Sequence, residues 1–288
     1  MLRALAGVTI VTPDLDMAVA AYAQYLGYTG AVPACVGDDL ARTWGVPQAA
    51  AARMVVLRPA SGEPRFIRLV EGAPASDFSA LTSFGWTAVE IVVRDVDRLA
   101  AQLAGSPFRI IGPPAVLEFD FTDQIRAMQV VGPGSEIIYL TQIDGEIPGF
   151  DLPVAQSFVC QPFITVLASP DIAAAGAFFA DLGRPAGPTM AAPIAILSHA
   201  HDLPADHRHS LATVALDDAS LIEIDASPAG TMPRPHSSIG LPCGLAMVSV
   251  YGDAPATQPD GSRVVKGIVG EWLEILPQHP SKQNNKIL

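Results

Sequence analysis

Basic residues and cysteines are scarce in this chain of 288 residues. It has 17 lysines and arginines against 29 aspartates and glutamates, which gives a formal net charge of -12 at pH 7. Because phosphate backbones and anionic lipids attract lysine and arginine, this charge argues against a nucleic-acid or anionic-membrane partner. The cysteines Cys35, Cys160 and Cys243 are odd in number and lack metal-site spacing. We therefore expect a reduced, cytoplasmic protein.

Several sequence features that would indicate a function are also missing. There is no run of about 18 apolar residues, so no membrane-spanning helix is expected. The segment MLRALAGVTIV turns directly into a strand and lacks the cleavage site of a signal peptide. Phosphate-binding and dinucleotide-binding glycine motifs do not occur. Ser198 beside His199 lacks the glycine elbow that exposes a catalytic serine. A small molecule is the expected partner.

An apolar strand that ends in an aspartate occurs four times. The aspartates Asp14, Asp95, Asp171 and Asp253 lie 81, 76 and 82 residues apart. Such even spacing is typical of an internally duplicated fold. After each of the first three, apolar residues recur at helical spacing up to a glycine, so each of these units is predicted to open as strand, aspartate, helix.

Each unit also closes in the same way, with a turn followed by a strand of alternating character. Further apolar segments between the opening and the closing strand complete a βαβββ unit. The predicted fold is α+β, with four tandem βαβββ modules that form two cup-shaped mixed sheets with flanking helices. The closing segments are Ser61–Leu69, Gly132–Leu140, Asp217–Ile224 and Val269–Leu276.

The fourth module departs from the repeat, and a linker and a C-terminal tail lie outside it. Between Tyr251 and Val264 the chain is short and rich in proline and glycine, so we expect no helix there. The stretch 144–153 is the predicted linker between an N-terminal domain, 1–143, and a C-terminal domain, 154–277. The polar tail, 278–288, is expected to be disordered.

The spacing, the architecture and the phrases DLDMAVAAYAQYLGY and GEWLEIL resemble the vicinal oxygen chelate superfamily, which includes glyoxalases, bleomycin-resistance proteins and extradiol dioxygenases. The resemblance covers roughly residues 3–278. It implies that two modules pair into one cup with one site, so two cups are expected. It also implies a divalent metal in many members, but not a single chemistry.

The resemblance gives a direct test for that metal. Metal-using members place a His, Gln or Glu seven residues before each strand-end aspartate and a Glu on each closing strand. The matching opening residues here are Gly7, Ala88, Ile164 and Ala246, none of which can coordinate. The matching closing residues are Arg68, Tyr139, Glu223 and Glu274. We therefore expect no metal in the first cup; a weakly bound divalent metal at Glu223 and Glu274 in the second cup is the alternative.

Organic side chains are then left to act in the first cup. Because side chains alternate across a strand, residues two positions from those that match the family's metal ligands also face the cup, and they are predicted to surround one cavity. Arg68 could bind a carboxylate or enolate, Glu90 could move a proton, and Tyr139 could donate to an oxyanion. The alternative is a structural ion pair between Arg68 and Glu90. The predicted substrate-binding residues are Thr9, Phe66, Trp86, Arg126, Met128 and Thr141.

Two functions follow from this set. The first is a metal-independent isomerase or lyase that transfers a proton beside a carbonyl of a small carboxylated or aromatic metabolite. The second is a protein that sequesters a small molecule, as the resemblance to bleomycin-resistance proteins implies, usually as a homodimer. A metal-dependent glyoxalase or ring-cleavage dioxygenase ranks third.

Two segments have more than one interpretation. The histidines at 199, 201, 207 and 209 could bind metal, but exposed histidines in a loop are the commoner case. In VLEFDFTDQIR, residues 116–126, the apolar residues could line the mouth of a cup, but a solvated loop is favoured.

Overall fold

A computed structural model describes residues 1–117, 119–253 and 261–277. Each of the four repeats occupies one unit of the fold. Unit 1 contains β1 (Leu2–Thr12), α1 (Leu15–Leu26), β2 (Tyr28–Gly30), β3 (Ala34–Cys35), α2 (Asp38–Trp44), β4 (Arg53–Pro59) and β5 (Phe66–Glu71). Unit 2 contains β6 (Gly85–Val93), α3 (Val96–Leu103), β7 (Arg109–Val116), β8 (Ile125–Val131) and β9 (Ile137–Ile143).

The second half of the chain repeats this order with some losses. Unit 3 contains β10 (Val159–Ser169), α4 (Ile172–Asp181), β11 (Met190–Pro193), α5 (Ala195–Ala200), β12 (Arg208–Leu216) and β13 (Ser220–Ala226). Unit 4 contains β14 (Leu245–Gly252), β15 (Arg263–Lys266) and β16 (Trp272–Leu276). The expected absence of a helix in unit 4 and the expected disorder of the tail fall on residues 254–260 and 278–288, which lie outside the described residues.

The strand-end aspartates cap the helices that follow them. Asp14, Asp95 and Asp171 have extended backbone angles, and each side chain accepts a hydrogen bond of 2.9 Å from the amide three residues later. A cap of this kind contributes about 1 kcal/mol to a helix, because it satisfies an amide that has no partner within the helix. The repeated aspartate is therefore a folding signal in three of the four units.

The strands form two mixed sheets of eight strands each, as the sequence predicted. The order in one is β15-β16-β14-β1-β5-β4-β2, with β3 also paired to β4, and in the other it is β11-β12-β13-β10-β6-β9-β8-β7. Within each unit the opening strand runs parallel to the closing strand, for example β1 with β5. Two units join where their opening strands pair antiparallel, β1 with β14 and β6 with β10.

The choice of partner units differs from the prediction. Consecutive units were expected to share a cup, over 1–143 and over 154–277. Instead, units 1 and 4 share one sheet, here called the outer cup, and units 2 and 3 share the other, here called the inner cup. The repeat pattern specifies each unit but not its partner, because all four opening strands have similar apolar faces. Both cups are completed within one chain.

A common core joins the two sheets. Alternate residues of the opening strands, such as Val8 and Ile10 of β1 and Val89 and Ile91 of β6, face this core and are fully buried. The intervening residues face the cups. Two phenols cross between the sheets: Tyr22 Oη donates to Glu136 Oε1 at 2.6 Å and Tyr28 Oη donates to the Cys160 carbonyl at 2.6 Å. Among the described helices, none is long and apolar enough to cross a membrane.

The pairing of units predicts how half of the chain behaves. In a fragment of residues 1–143, β1 loses β14 and β6 loses β10, so two central strands would each expose an unpaired edge. We expect this fragment to associate or aggregate rather than to form a folded monomer, as measured by light scattering and circular dichroism. Co-expression with residues 154–288 should restore a soluble heterodimer. A folded, monomeric 1–143 fragment would contradict the pairing.

Candidate functional site

The outer cup is filled by its own side chains. The helix α2, inserted between β3 and β4, places Trp44 against Met247 and Trp272 in a buried cluster, and all three are almost completely inaccessible. Trp44 therefore belongs to the packing of this cup.

An ion pair lies at the centre of that packing. Arg68 Nη2 lies 3.0 Å from Glu274 Oε2, and Arg68 Nη1 donates to Thr9 Oγ1 at 3.2 Å. Glu274 also accepts from Ser249 Oγ at 2.5 Å and from Trp44 Nε1 at 3.0 Å. Burial alone would raise the pKa of Glu274, but the Arg68 charge and these hydrogen bonds hold that pKa below its ordinary value. The network is satisfied internally.

The structure separates residues that the sequence placed around one cavity. Thr9, Phe66 and Arg68 lie on β1 and β5 in the outer cup, whereas Glu90, Tyr139 and Thr141 lie on β6 and β9 in the inner cup. Arg68 thus pairs with Glu274 and not with Glu90. The expectation that these residues surround one cavity was wrong, because it depended on units 1 and 2 forming one cup.

The other three predicted binding residues face away from both cups. Trp86 lies in the common core, where its Nε1 donates to the Trp272 carbonyl at 2.8 Å. An irregularity in the β6–β10 register between Val166 and Leu167 breaks the alternation that would have turned Trp86 into the cup. Met128 also lies in the core, and Arg126 pairs with Asp97 at 2.9 Å at the surface.

The inner cup contains a cavity in two adjoining chambers. The larger has a volume of about 380 Å³, within the range of small-molecule sites, and the smaller is lined mainly by apolar side chains. Glu90, Glu223, Leu117, Phe119 and Leu211 line both chambers. The two carboxylates therefore lie where the chambers meet.

The carboxylates of the inner cup influence one another. Burial, followed by the charge of Glu223, raises the pKa of Glu90 to about 8. Burial raises the pKa of Glu223, and burial together with the nearby Glu223 charge raises that of Asp225 well above its ordinary value. Glu90 Oε2 accepts from Thr141 Oγ1 at 2.9 Å, and no described residue donates to its Oε1. At neutral pH this group of acids retains protons that ordinary carboxyls would lose.

Tyr139 lines the larger chamber beside these acids. Burial raises its pKa well above the ordinary value, and the charges of Asp225, Glu223 and Glu90 add to that effect. The phenol therefore stays protonated and is a hydrogen-bond donor at any physiological pH.

Aromatic rings form one wall of the smaller chamber. The rings of Phe119 and Phe121 stack with centroids 5.2 Å apart, and Phe121 stacks on Phe150 at 5.5 Å. Phe150 comes from the segment 144–153, so the predicted linker contributes to the wall. In the loop 117–123 the apolar residues line the chamber, while Asp120 is exposed and pairs with Arg208 at 3.2 Å. Glu118 lies outside the described residues.

Sequence reasoning missed several of these residues. Asp225 was not considered, although Glu223-x-Asp225 on one strand places both acids on the same face. Phe119 and Phe121 were noticed but assigned to a solvated loop. Phe150 could not have been found, because nothing in a linker sequence indicates which sheet it covers.

The histidine segment forms a packed contact. Ser198 Oγ lies 2.9 Å from His209 Nε2, and both residues are buried outside the cavity. Burial, followed by the charges of His207 and His201, lowers the pKa of His209 to about 4. Neither residue lines the two chambers of the inner cup.

The donor set does not fit the metal site that the sequence resemblance implies. The matching positions supply Ala88, Ile164, Tyr139 and Glu223 in the inner cup, and in the outer cup Arg68 already neutralises Glu274. Glu223 and Glu274 lie in different sheets, so the alternative of one ion between them is wrong. Across 1–117, 119–253 and 261–277, no group of three His, Cys, Asp or Glu side chains is placed to hold an ion.

Comparison with known proteins yields structural matches only. No family model matches the sequence, and no curated protein matches it. The structure of glyoxalase I from Zea mays has a TM-score of 0.61 at 14% identity, covering 96% of this chain and 92% of that chain. A putative dioxygenase from Bacillus subtilis subsp. subtilis str. 168 has a TM-score of 0.57 at 10% identity, covering 97% and 86%. At such identities the likeness shows the fold alone.

The ion pair of the outer cup predicts a stability effect. Arg68→Met leaves the Glu274 charge buried without its cation, and we expect a loss of about 3–5 kcal/mol in the free energy of unfolding, measured with urea. The double variant Arg68→Met, Glu274→Gln should lose less than the single variant, because Gln carries no charge and still accepts from Trp44. A single variant that loses under about 1 kcal/mol would contradict the assignment.

The raised pKa of Glu90 predicts a pH effect of known sign. Between the ordinary pKa of a glutamate and about 8, the folded protein binds a proton that the unfolded chain does not. The contribution of Glu90 to stability therefore falls as pH rises through this range. Relative to the parent, Glu90→Gln should gain about 4 kcal/mol in the free energy of unfolding, measured with urea, between about pH 5 and about pH 9, since each unit of pKa shift corresponds to about 1.4 kcal/mol. A difference that is constant with pH would contradict the raised pKa.

Proposed function

The chain has the fold of the vicinal oxygen chelate superfamily, and we propose that within this fold it is a metal-independent enzyme of the isomerase or lyase type. It transfers a proton beside a carbonyl of a small, partly aromatic molecule bound in the inner cup. The observation that carries this proposal is the coupled pair Glu90 and Glu223 at the junction of two chambers.

The pair is suited to moving a proton between two atoms of a substrate. A general acid or base works best when its pKa lies near the working pH, and the pKa of Glu90 is raised to about 8. Because the charge of each acid disfavours ionisation of the other, the pair holds one proton more readily than none. The ionised carboxylate can take a proton from a carbon next to a carbonyl, and the protonated one can return a proton elsewhere.

Neighbouring groups would support this step. The Tyr139 phenol stays protonated in the larger chamber and can donate to the oxygen on which negative charge develops. Thr141 holds one oxygen of Glu90 through a 2.9 Å hydrogen bond, which limits the rotation of that carboxyl. The apolar walls exclude water and so keep the pKa values of both acids high.

The proposed substrate is narrower than the sequence indicated. A carboxylated substrate was expected because Arg68 would bind it, but Arg68 is paired with Glu274 in the other sheet. A ligand carboxylate in the inner cup would instead face Glu90 and Glu223. The aromatic part of the expectation remains, because Phe119, Phe121 and Phe150 offer a stacking surface.

The second candidate is a binding protein that sequesters its ligand. The same aromatic wall favours this candidate, since stacking contributes affinity without any chemistry. A binder would return the ligand unchanged, whereas an enzyme would convert it. A cytoplasmic location and a homodimer stay predictions for either function.

Turnover by acid-replacement variants tests the proposal. A ligand is first found by thermal-shift screening of small aromatic carbonyl compounds, and its conversion is followed by NMR. We expect Glu90→Gln and Glu223→Gln to lower kcat by about 10²–10⁴-fold, because each removes a proton carrier. Phe150→Ala should chiefly weaken binding.

Glu146→Gln is the matched control, since it removes an exposed carboxylate from the same linker without altering the cavity. Its kcat should equal that of the parent, and a chelator should leave the parent active. Unchanged ligand at saturation would favour the binder. A stoichiometric divalent ion whose removal abolishes turnover would contradict the metal-independent mechanism.

A further inference from the structure

Equivalent positions carry residues of different charge in the two cups. The closing-strand residues related by the repeat are Arg68 and Glu274 in the outer cup and Tyr139 and Glu223 in the inner cup. In the outer cup a guanidinium neutralises the carboxylate, and the pKa of Glu274 is lowered. In the inner cup the position of the cation is taken by a neutral phenol. The inner cup therefore keeps the buried acid without its counter-charge.

No described side chain that lines the chambers supplies that counter-charge. The described residues that line the two chambers include no lysine, arginine or histidine. Glu90 is only 6% exposed, and no described residue donates to its Oε1 although it borders both chambers. A buried carboxylate in such surroundings is costly when ionised unless a cation accompanies it.

An aromatic surface adjoins these acids. Phe119, Phe121 and Phe150 form a continuous stack along the smaller chamber, and the side chain of Phe121 is 36% exposed. The faces of aromatic rings attract cations and stack with planar ligands. The acids thus favour a ligand that carries a positive charge, and the rings favour a ligand that is flat and apolar.

We infer that the inner cup binds an organic cation, with a positively charged nitrogen beside Glu90 and Glu223 and a planar ring against Phe119, Phe121 and Phe150. The inference rests on the proposed function only in placing the ligand in this cup. It names the substrate class: a small aromatic or apolar molecule that carries an ammonium, iminium or ring-nitrogen cation.

An organic cation suits this site better than a metal ion does. A divalent metal keeps water unless several oxygen or nitrogen donors replace it, and most of the walls are aliphatic and aromatic carbon. A cation whose charge is spread over a ring system is weakly hydrated, so it enters an apolar chamber at smaller cost and gains from the phenylalanine faces.

Binding of a cation should be linked to release of a proton. In the free protein the pKa of Glu90 is about 8, so the acid pair carries a proton at pH 7. A positive charge beside the pair lowers the pKa values of both carboxyls and displaces this proton into the solvent. Affinity for the cation should therefore rise with pH and level off above about pH 8.

The experiment compares three probes of one shape with the full-length protein. The probes are N-methylacridinium, a permanent cation; acridine at pH 8, its neutral counterpart; and anthracene-9-carboxylate, an anion. Titration calorimetry measures each affinity, and the cation is repeated at pH 7 in two buffers of different ionisation enthalpy to count released protons. We expect the cation to bind about tenfold or more tightly than the neutral probe, with the anion weakest.

Variants assign the effect to named side chains. Glu223→Gln should remove most of the preference for the cation while leaving acridine binding unchanged, and Phe150→Ala should weaken both. Glu146→Gln, which removes the same charge outside the cavity, should behave as the parent. Equal affinity for cation and neutral probe, with both weakened by Phe150→Ala, would overturn the cation inference and leave the inner cup as the ligand site.

Two other outcomes would be decisive. Tight binding of Mn²⁺ or Zn²⁺ alone, lost in Glu223→Gln, would replace the organic cation by a metal. Binding of no probe, or binding that is insensitive to Phe150→Ala and Glu223→Gln, would overturn both this inference and the placing of the ligand in the inner cup.

Discussion

Antiparallel pairing of the opening strands determines everything that the two cups can do. Each βαβββ unit forms one half of a cup. The unit whose opening strand pairs with it supplies the other half and therefore the side chains that face it. Because β1 pairs with β14 and β6 with β10, Arg68 meets Glu274 and Glu90 faces the strand β10, whose unit supplies Glu223. A different pairing would place Arg68 beside Glu90. The charge of the ligand site therefore follows from strand pairing at the centre of each sheet.

The same pairing explains why one cup is filled and the other is open. Units 2 and 3 are consecutive, so their connection, 144–153, passes over the inner cup and contributes Ile147 and Phe150 to its rim. Units 1 and 4 are at opposite ends of the chain, and the outer cup is instead occupied by the α2 insertion with Trp44. Packing the outer cup and neutralising Glu274 contributes stability. The strain of buried, unpaired acids is confined to the inner cup.

The sequence predicted local structure well and long-range structure poorly. The aspartate caps, the βαβββ units and two mixed sheets could be read from residues such as Asp14 and Asp95, because capping and strand alternation are local effects. The partner of each unit could not, since all four opening strands contribute a similar apolar face to the common core. Trp86 shows a further limit: one register irregularity moves it from the cup to the core. Glu90, Tyr139 and Thr141 face the inner cup, because β9 and the part of β6 beyond the irregularity keep their alternation.

A comparison of the two cups shows how one half of a duplicated fold can acquire a ligand site through a change at a single equivalent position. Tyr139 and Arg68 occupy equivalent closing-strand positions, as do Glu223 and Glu274. In one cup the pair is guanidinium and carboxylate, which neutralise each other and pack. In the other it is phenol and carboxylate, which do not neutralise each other, and burial raises the pKa values of Glu90 and Glu223 with no cation to oppose it. A single cation or its absence thus separates a stabilising core from a cavity that has an electrostatic reason to bind a ligand.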